Sequence, residues 1–206
     1  MKTILKIPGL EFFGGDWNVL QNFLKKQGNP NYTIEGDLNL YKVPIKDLGN
    51  LESVGGNLNL FGTSINSLKN LESVDGYLSL YETPIKTLGI LTSVGSHLDL
   101  YGAPIESLGN LESVGGYLNL EGTPIKSLGN LESVGGDLNL GGTPIKSLGG
   151  LTSVGGYLSL YGTPIESFGG LKSVGGSLFL EETPISRKYS EKEIREMVNV
   201  KGDIYM

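Results

Sequence analysis

One histidine and one aspartate occur where a proton-transfer pair could be built. His97 is the only histidine of the chain, and Asp99 follows it two residues later. In a β-strand, residues two apart point to the same side, so both side chains would lie on one face. A histidine oriented by a carboxylate can act as a general base, but it needs a nucleophile or a second acid–base group. The sequence offers none beside this pair, so we expect His97 to be a surface residue.

Other catalytic and metal-binding patterns are missing from the sequence. It has no cysteine, no P-loop, no dinucleotide fingerprint after a strand and no His/Cys metal spacing. Carboxylates recur on the same predicted face, but no apolar surroundings are predicted that would keep one of them protonated, as a glycosidase needs. We therefore predict that the protein is not an enzyme and uses no cofactor or metal ion. Its net charge of −6 argues against nucleic-acid binding, because phosphate contacts need clustered Lys and Arg.

His97, Asp99 and the recurring carboxylates all lie within a sequence repeat of 20 residues, so the fold of that repeat determines their positions. The unit L-x-S-V-G-G-x-L-x-L-x-x-T-P-I-x-S-L-x-x recurs from Leu51 to Pro184 without an insertion or a deletion. Such self-similarity is typical of a solenoid, in which each turn stacks on its neighbours. The L-x-L segment alternates as a strand does, and no part of the unit has the spacing of an amphipathic helix. We therefore predict an all-β dominated, β-helix-like solenoid with one parallel sheet of nine strands between Leu38 and Ile204.

Small or rigid residues recur at the corners of this turn. The second residue of the glycine pair before the strand is Gly in eight of nine copies, which predicts a positive φ or a crowded corner. A proline column is expected to shape the next corner, at the start of an extended or 3₁₀ return segment. A threonine column beside it, and a serine column from Ser53 to Ser173, are expected to hydrogen-bond loop backbone.

These residues carry a resemblance. The phrase L-x-L-x-x-T-P-I, preceded by Leu51 and Val54, resembles the leucine-rich repeat pattern L-x-x-L-x-L-x-x-N-x-L at its shortest length, with Thr in place of Asn. The phrase V-G-G-x-L-x-L is also similar to the L domains of cell-surface receptors and to short repeats of bacterial and phage proteins. The resemblance covers residues 33–186, and it implies binding of a ligand or protein partner without catalytic residues.

Helical caps are predicted at both ends, since an open solenoid core would aggregate. Asp16 is expected to cap a helix over 17–26, which Gly28 to Pro30 then end. The residues of this helix that share its apolar face are Trp17, Leu20, Phe23 and Leu24.

At the other end, the run from Ser190 to Glu193 is typical of a capping box. The short helix that follows is expected to bury Ile194, Met197 and Val198, and a final strand copy comes after it. The predicted organisation is a cap over 1–32, the solenoid over 33–186, and a cap helix with the last strand over 187–206.

Three positions per strand, equivalent to 57, 59 and 61, point away from the core. We call the rows that they form along the solenoid the first, second and third columns, and their common surface the tyrosine face. Eight of the ten tyrosines lie on it: Tyr41, Tyr77, Tyr81, Tyr101, Tyr117, Tyr157, Tyr161 and Tyr205. The three columns also hold six acids and no Lys or Arg: Asp37, Asp99, Glu121, Asp137, Glu181 and Asp203. Because the other 16 acids equal the 16 basic residues in number, the net charge belongs to this face.

Two interpretations of the tyrosine face stay open at this point. Tyrosine suits exposed strands and stacks across turns, and acids keep a sheet soluble, so the face could serve the fold alone. Tyrosine is also a rigid anchor at interfaces, and acids favour basic partners. On the second interpretation the partner-binding residues are Tyr77, Tyr81, His97, Asp99, Tyr101, Tyr117, Glu121, Tyr157 and Tyr161.

The leading hypothesis is a non-enzymatic recognition module that binds a protein with a basic patch, and neither nucleic acid nor membrane. The alternatives are a structural or assembly component of a virus or phage particle, oligomerising through its C-terminal edge at 203–206, and a carbohydrate-binding protein. The expected state is a monomer or an edge-to-edge homodimer. The first apolar run is too short for a signal peptide, and the lack of cysteine fits a reducing compartment, so a cytoplasmic location is predicted.

Overall fold

A computed structural model describes residues 4–206, so the first three residues of the predicted cap over 1–32 lie outside it. The all-β dominated solenoid with short helical caps is confirmed, but it has two parallel sheets where one was predicted. Sheet A has ten strands: Leu5–Ile7, Tyr32–Ile34, Leu51–Val54, Ser73–Val74, Ser93–Val94, Ser113–Val114, Ser133–Val134, Ser153–Val154, Ser173–Val174 and Asn199–Val200. Sheet B has the nine predicted strands: Leu38–Asn39, Leu58–Asn59, Leu78–Ser79, Leu98–Asp99, Leu118–Asn119, Leu138–Asn139, Leu158–Ser159, Leu178–Phe179 and Ile204–Tyr205.

Sheet A escaped prediction because most of its strands contain a single apolar residue, the valine of the S-V-G-G phrase. Each pairs in register with its equivalent in the next turn, as Ser113 does with Ser133 and Val114 with Val134. A single inward valine followed by glycine shows no alternation, whereas the equally short strands of sheet B lie in the alternating L-x-L segment. The return segment is extended, and within residues 4–206 its pairing is limited to two isolated bridges, such as that between Thr87 and Ser107.

Inward columns of leucine, valine and isoleucine fill the space inside the turns. One turn contributes Leu111, Val114, Leu118, Leu120, Ile125 and Leu128, each at most 1% exposed. These are the six apolar positions of the repeat, so the predicted core positions are confirmed.

The threonine column satisfies backbone carbonyls inside the turn, as predicted. The Thr123 hydroxyl, for example, donates to the Leu120 carbonyl at 2.8 Å, and Thr83, Thr143, Thr163 and Thr183 repeat this bond. The serine column behaves differently. Its side chains are half-buried on the outer side of sheet A, and none of their hydroxyls makes a hydrogen bond within the described part of the chain.

The second glycine of each pair is required by crowding and not by a positive φ. A Cβ on Gly136 would lie 2.8 Å from the carbonyl carbon of Gly116 in the preceding turn, so a larger residue there would force the turns apart. Left-handed backbone occurs instead just after the third column, where most turns carry glycine. Lys42, Glu82 and Glu182 adopt it there as non-glycine residues, with φ of 54°, 54° and 62°.

The N-terminal cap contains the predicted helix, α1 (Trp17–Lys26), whose N-cap Asp16 accepts a hydrogen bond from the Asn18 amide at 2.7 Å. Its apolar face covers the core with Trp17, Leu20 and Leu24, while Phe23 is partly buried. Before it lie a 3₁₀ helix (Leu10–Phe13) and the strand Leu5–Ile7, which pairs with Tyr32–Ile34 and is the first strand of sheet A.

The C-terminal cap consists of α2 (Pro184–Lys188) and α3 (Glu191–Met197), and the predicted capping box joins Ser190 to Glu193. Ile194 and Val198 are buried, but the prediction for Met197 was wrong, because this side chain is 46% exposed. The buried stripe runs through residues four apart, which leaves Met197 at its margin. Arg195 donates to the Val200 and Gly202 carbonyls at 2.8 and 3.0 Å and so holds the last turn. Within the described chain, no helix has the length and apolar character to cross a membrane.

Candidate recognition face

Sheet B places every predicted partner-binding residue on one outer surface, the tyrosine face. His97, Tyr101, Glu121 and Tyr161 are exposed on it. The others, Tyr77, Tyr81, Asp99, Tyr117 and Tyr157, are half-buried against neighbouring side chains. Because successive strands of a parallel sheet lie about 4.8 Å apart, side chains of one column are in contact from turn to turn.

The third column begins with a stack of four aromatic rings. Tyr41, Phe61, Tyr81 and Tyr101 follow one another with centroid separations of 5.0, 4.8 and 5.5 Å and interplanar angles of at most 15°. Such a stack is rigid, since each ring is held by its neighbours.

The stack stops where Glu121 and Gly141 occupy the column, so Tyr161 does not join it. The Tyr161 hydroxyl instead donates to the Glu182 carboxylate at 2.9 Å. That bond raises the pKa of Tyr161, because it favours the protonated phenol beside a negative charge. In the third column, a polar gap therefore separates Tyr161 from the aromatic stack.

The first column alternates tyrosines with residues that accept a backbone hydrogen bond from the next turn. The acceptors are Asp37, Asn57, His97, Asp137 and Ser177, and their bonds to the amide of the next first-column residue measure 2.7 to 3.2 Å. His97 accepts through Nδ1 from the Tyr117 amide at 2.9 Å, which requires the neutral imidazole with its hydrogen on Nε2. His97 thus has a structural role that the sequence did not reveal.

The second column holds Asx turns. The residues Asn39, Asn59, Asp99, Asn119 and Asn139 each accept a hydrogen bond from the amide two residues further on, at 3.0 to 3.2 Å. Neighbouring turns are also linked, since the Asn119 side-chain amide donates to Asp99 Oδ1 at 3.2 Å. The amide of Asn139 likewise donates to Glu121 at 2.9 Å.

These bonds separate what the fold requires from what it does not. Asn119 makes the same turn as Asp99, and Asn57 makes the same inter-turn bond as Asp137. Only an acceptor oxygen is needed at these positions, and a neutral amide supplies it. The negative charges of Asp99 and Asp137 are therefore not demanded by the backbone around them.

Two tyrosines in the middle of the face are shielded from water. Burial raises the pKa of Tyr117 to about 12, with smaller contributions from Tyr157, Asp99 and Glu121. Burial also raises the pKa of Tyr157, and the Asp137 charge acts in the same direction. A phenol is protonated at neutral pH even at its ordinary pKa of about 10, and burial keeps these two protonated further into the alkaline range, so both offer neutral hydroxyls to a partner.

A lysine reaches the face from outside the three columns. The Lys42 ammonium lies 5.1 Å from the centroid of the Tyr41 ring and 5.6 Å from that of Phe61, within the range of a cation–π contact. The sequence held a signal for this contact, because Lys42 stands where most turns have glycine.

Among residues 4–206, no group of three or more His, Cys, Asp and Glu side chains is close enough to share a metal ion. No known family model matches the chain, and no curated protein matches it. The structure itself establishes a repeat solenoid of 20-residue turns with leucine at regular positions, which is consistent with leucine-rich-repeat-like units.

Proposed function

We propose that this chain is a non-enzymatic recognition module that binds a protein with a basic patch through its tyrosine face. One observation carries the proposal: eight of ten tyrosines and six acids occupy the outer columns of sheet B, which hold no Lys or Arg. Tyrosines bury large contact areas at little entropic cost, and a surface of one charge attracts the opposite charge.

The geometry supports this proposal over a purely structural role for the face. The inter-turn and Asx bonds need oxygen acceptors but no charge, as Asn57 and Asn119 demonstrate. Like charges on one sheet repel each other, and the hydrogen bonds of the fold do not account for six acids on this face. On the return segment, by contrast, Lys86 and Lys146 are paired with Glu106 and Glu166, at 3.1 and 3.2 Å.

The leucine-rich-repeat resemblance supports the same proposal, since such repeats bind proteins on the surface of a parallel sheet. We infer that the chain is a short member of that class, that it works in the cytoplasm, and that it binds its partner as a monomer. We also infer a bacterial or phage origin from the similarity to short repeats of such proteins.

The test is a pull-down from the source cell with three versions of the protein. One is wild type, and one has six tyrosines replaced by serine: Tyr77, Tyr81, Tyr101, Tyr117, Tyr157 and Tyr161. The control has six exposed return-segment residues replaced by serine: Lys46, Lys86, Glu106, Lys126, Lys146 and Glu166. A partner that wild type and the control retain, and that the folded tyrosine variant loses, supports the proposal. Retention by all three versions rules the tyrosine face out.

A second candidate is an assembly component that oligomerises through its C-terminal edge. Within the described chain, the strand Ile204–Tyr205 pairs with Leu178–Phe179 on one side and with no strand on the other. Tyr205 and Met206 are 43% and 44% exposed beside this edge. An unpaired strand with apolar neighbours is a template for pairing with a second chain. Light scattering at high concentration tests it: a defined oligomer that Met206→Pro converts to monomer supports assembly, and a monomer at all concentrations excludes it. Met206 is equivalent to Leu180, whose amide donates to the next turn, so proline there removes a donor of the open edge.

A further inference from the structure

A cleft interrupts the middle of the tyrosine face. It measures about 330 Å³ and is lined by Tyr77, Leu78, Ser79, His97, Asp99 and Tyr117. Tyr77 and Tyr117 occupy the first column two turns apart, so their backbones are roughly 10 Å from each other. The shorter His97 lies between them and accepts the Tyr117 amide hydrogen at 2.9 Å. The cleft thus has two aromatic walls and a floor held by the backbone.

Asp99 supplies a charge at the side of this cleft. Its Oδ1 accepts hydrogen bonds from the Tyr101 amide at 3.1 Å and from the Asn119 side chain at 3.2 Å. Its second oxygen, Oδ2, accepts none within residues 4–206. Since asparagine completes the same turn at Asn59 and Asn119, the charge on Asp99 is available to a ligand.

A lysine of the chain already makes a cation–π contact with aromatic rings of the tyrosine face. The Lys42 ammonium lies over Tyr41 and Phe61 at 5.1 and 5.6 Å from the ring centroids. Within residues 4–206, no residue does the same in the cleft, whose lining contains neither Lys nor Arg. Two tyrosine walls and a carboxylate are the surroundings that a cationic side chain prefers.

We propose that this cleft binds one basic side chain of the partner protein, with arginine preferred over lysine. The planar guanidinium stacks on the Tyr77 or Tyr117 ring and donates to the Asp99 carboxylate at the same time, which a spherical ammonium does less well. This inference rests on the proposed recognition function and adds the chemistry that the face selects.

The experiment is an NMR titration of the full chain with N-acetyl-arginine methylamide and, in parallel, with its neutral isostere N-acetyl-citrulline methylamide. The arginine probe is expected to shift the amides of Tyr77, His97 and Tyr117 and to bind roughly five- to tenfold more tightly than citrulline. Equal binding of the two probes, or no shift at these amides at the highest concentration of the arginine probe, overturns the proposal.

Matched variants locate the charge. Asp99→Asn keeps the oxygen that accepts the Tyr101 amide, and it is expected to remove the preference for arginine over citrulline. Asp137→Asn makes the same charge change outside the cleft and is expected to retain the preference. A preference that survives Asp99→Asn overturns the proposal. If the titration fails while the six-tyrosine variant still loses its partner, the recognition function stands and only the arginine cleft is lost.

Discussion

The threonine column offers a quantitative test of what holds the turns together. The Thr143 side chain is 1% exposed, and its hydroxyl donates to the Leu140 carbonyl at 2.7 Å. Thr143→Val keeps the shape and removes the donor, so it loses one net hydrogen bond, about 1 kcal/mol of stability. The Leu140 carbonyl keeps its bond from the Thr143 amide at 3.1 Å, so no acceptor is left without a partner. Thr143→Ala also removes a buried methyl group and is expected to cost about 2 kcal/mol.

The same column contains its own control. Thr63 is 3% exposed, yet its hydroxyl has no hydrogen-bond partner among residues 4–206. Thr63→Val removes a buried polar group that gains nothing, so it is expected to be neutral or to stabilise the protein by up to about 1 kcal/mol. Urea unfolding with equal m-values in all variants measures the difference. Equal effects of Thr63→Val and Thr143→Val would refute the role assigned to the hydroxyl.

Three further perturbations follow from the structure. Glu82 has a left-handed φ of 54°, which strains a residue with a side chain, so Glu82→Gly is expected to stabilise the protein by about 1 kcal/mol in urea unfolding. A loss of stability would show that the backbone at this position is not strained. Burial raises the pKa of Tyr117 to about 12, above the unfolded value of about 10, so the folded state keeps this proton longer. Stability is therefore expected to fall as pH rises from about 10 to 12, and less steeply in Tyr117→Phe; identical slopes in an alkaline unfolding series would contradict this. Ile194→Ala is expected to cost about 3 kcal/mol of stability and Met197→Ala less than about 1 kcal/mol, because the two side chains are 0% and 46% exposed. Equal shifts of the melting temperature in the two variants would show that α3 packs differently.

The repeat made most of the fold predictable from the sequence. The apolar positions of one unit recur every 20 residues, and each turn must bury the same residues against its neighbours. These positions therefore define both the core and the nine strands of sheet B. Cap signals were equally local: Asp16 and the Ser190–Glu193 box sit within four residues of the groups that they satisfy. Sheet A was missed because a strand such as Ser113–Val114 has one apolar residue followed by glycine, whereas Leu118–Asn119 of sheet B belongs to the alternating L-x-L segment.

The candidate site was predictable in position but not in detail. Alternation placed the tyrosines and acids on one face, yet it could not reveal that His97 accepts the Tyr117 amide or that Tyr161 donates to Glu182. Both depend on side-chain conformations across turns. The cleft beside Asp99 likewise arises from the difference in length between His97 and its two tyrosine neighbours, a property of three successive turns that no single unit contains.

The most direct test of the recognition face is carboxylate footprinting of the complex captured in the pull-down, read by mass spectrometry against the free protein. Labelling of Asp99, Glu121 and Asp137 on the tyrosine face is expected to fall when the partner is bound. Labelling of the exposed Glu112 and Glu132, which lie next to the strands of sheet A, is expected to stay unchanged. Protection of Glu112 and Glu132, with the acids of the tyrosine face still labelled, would place the partner on the other sheet and contradict the account.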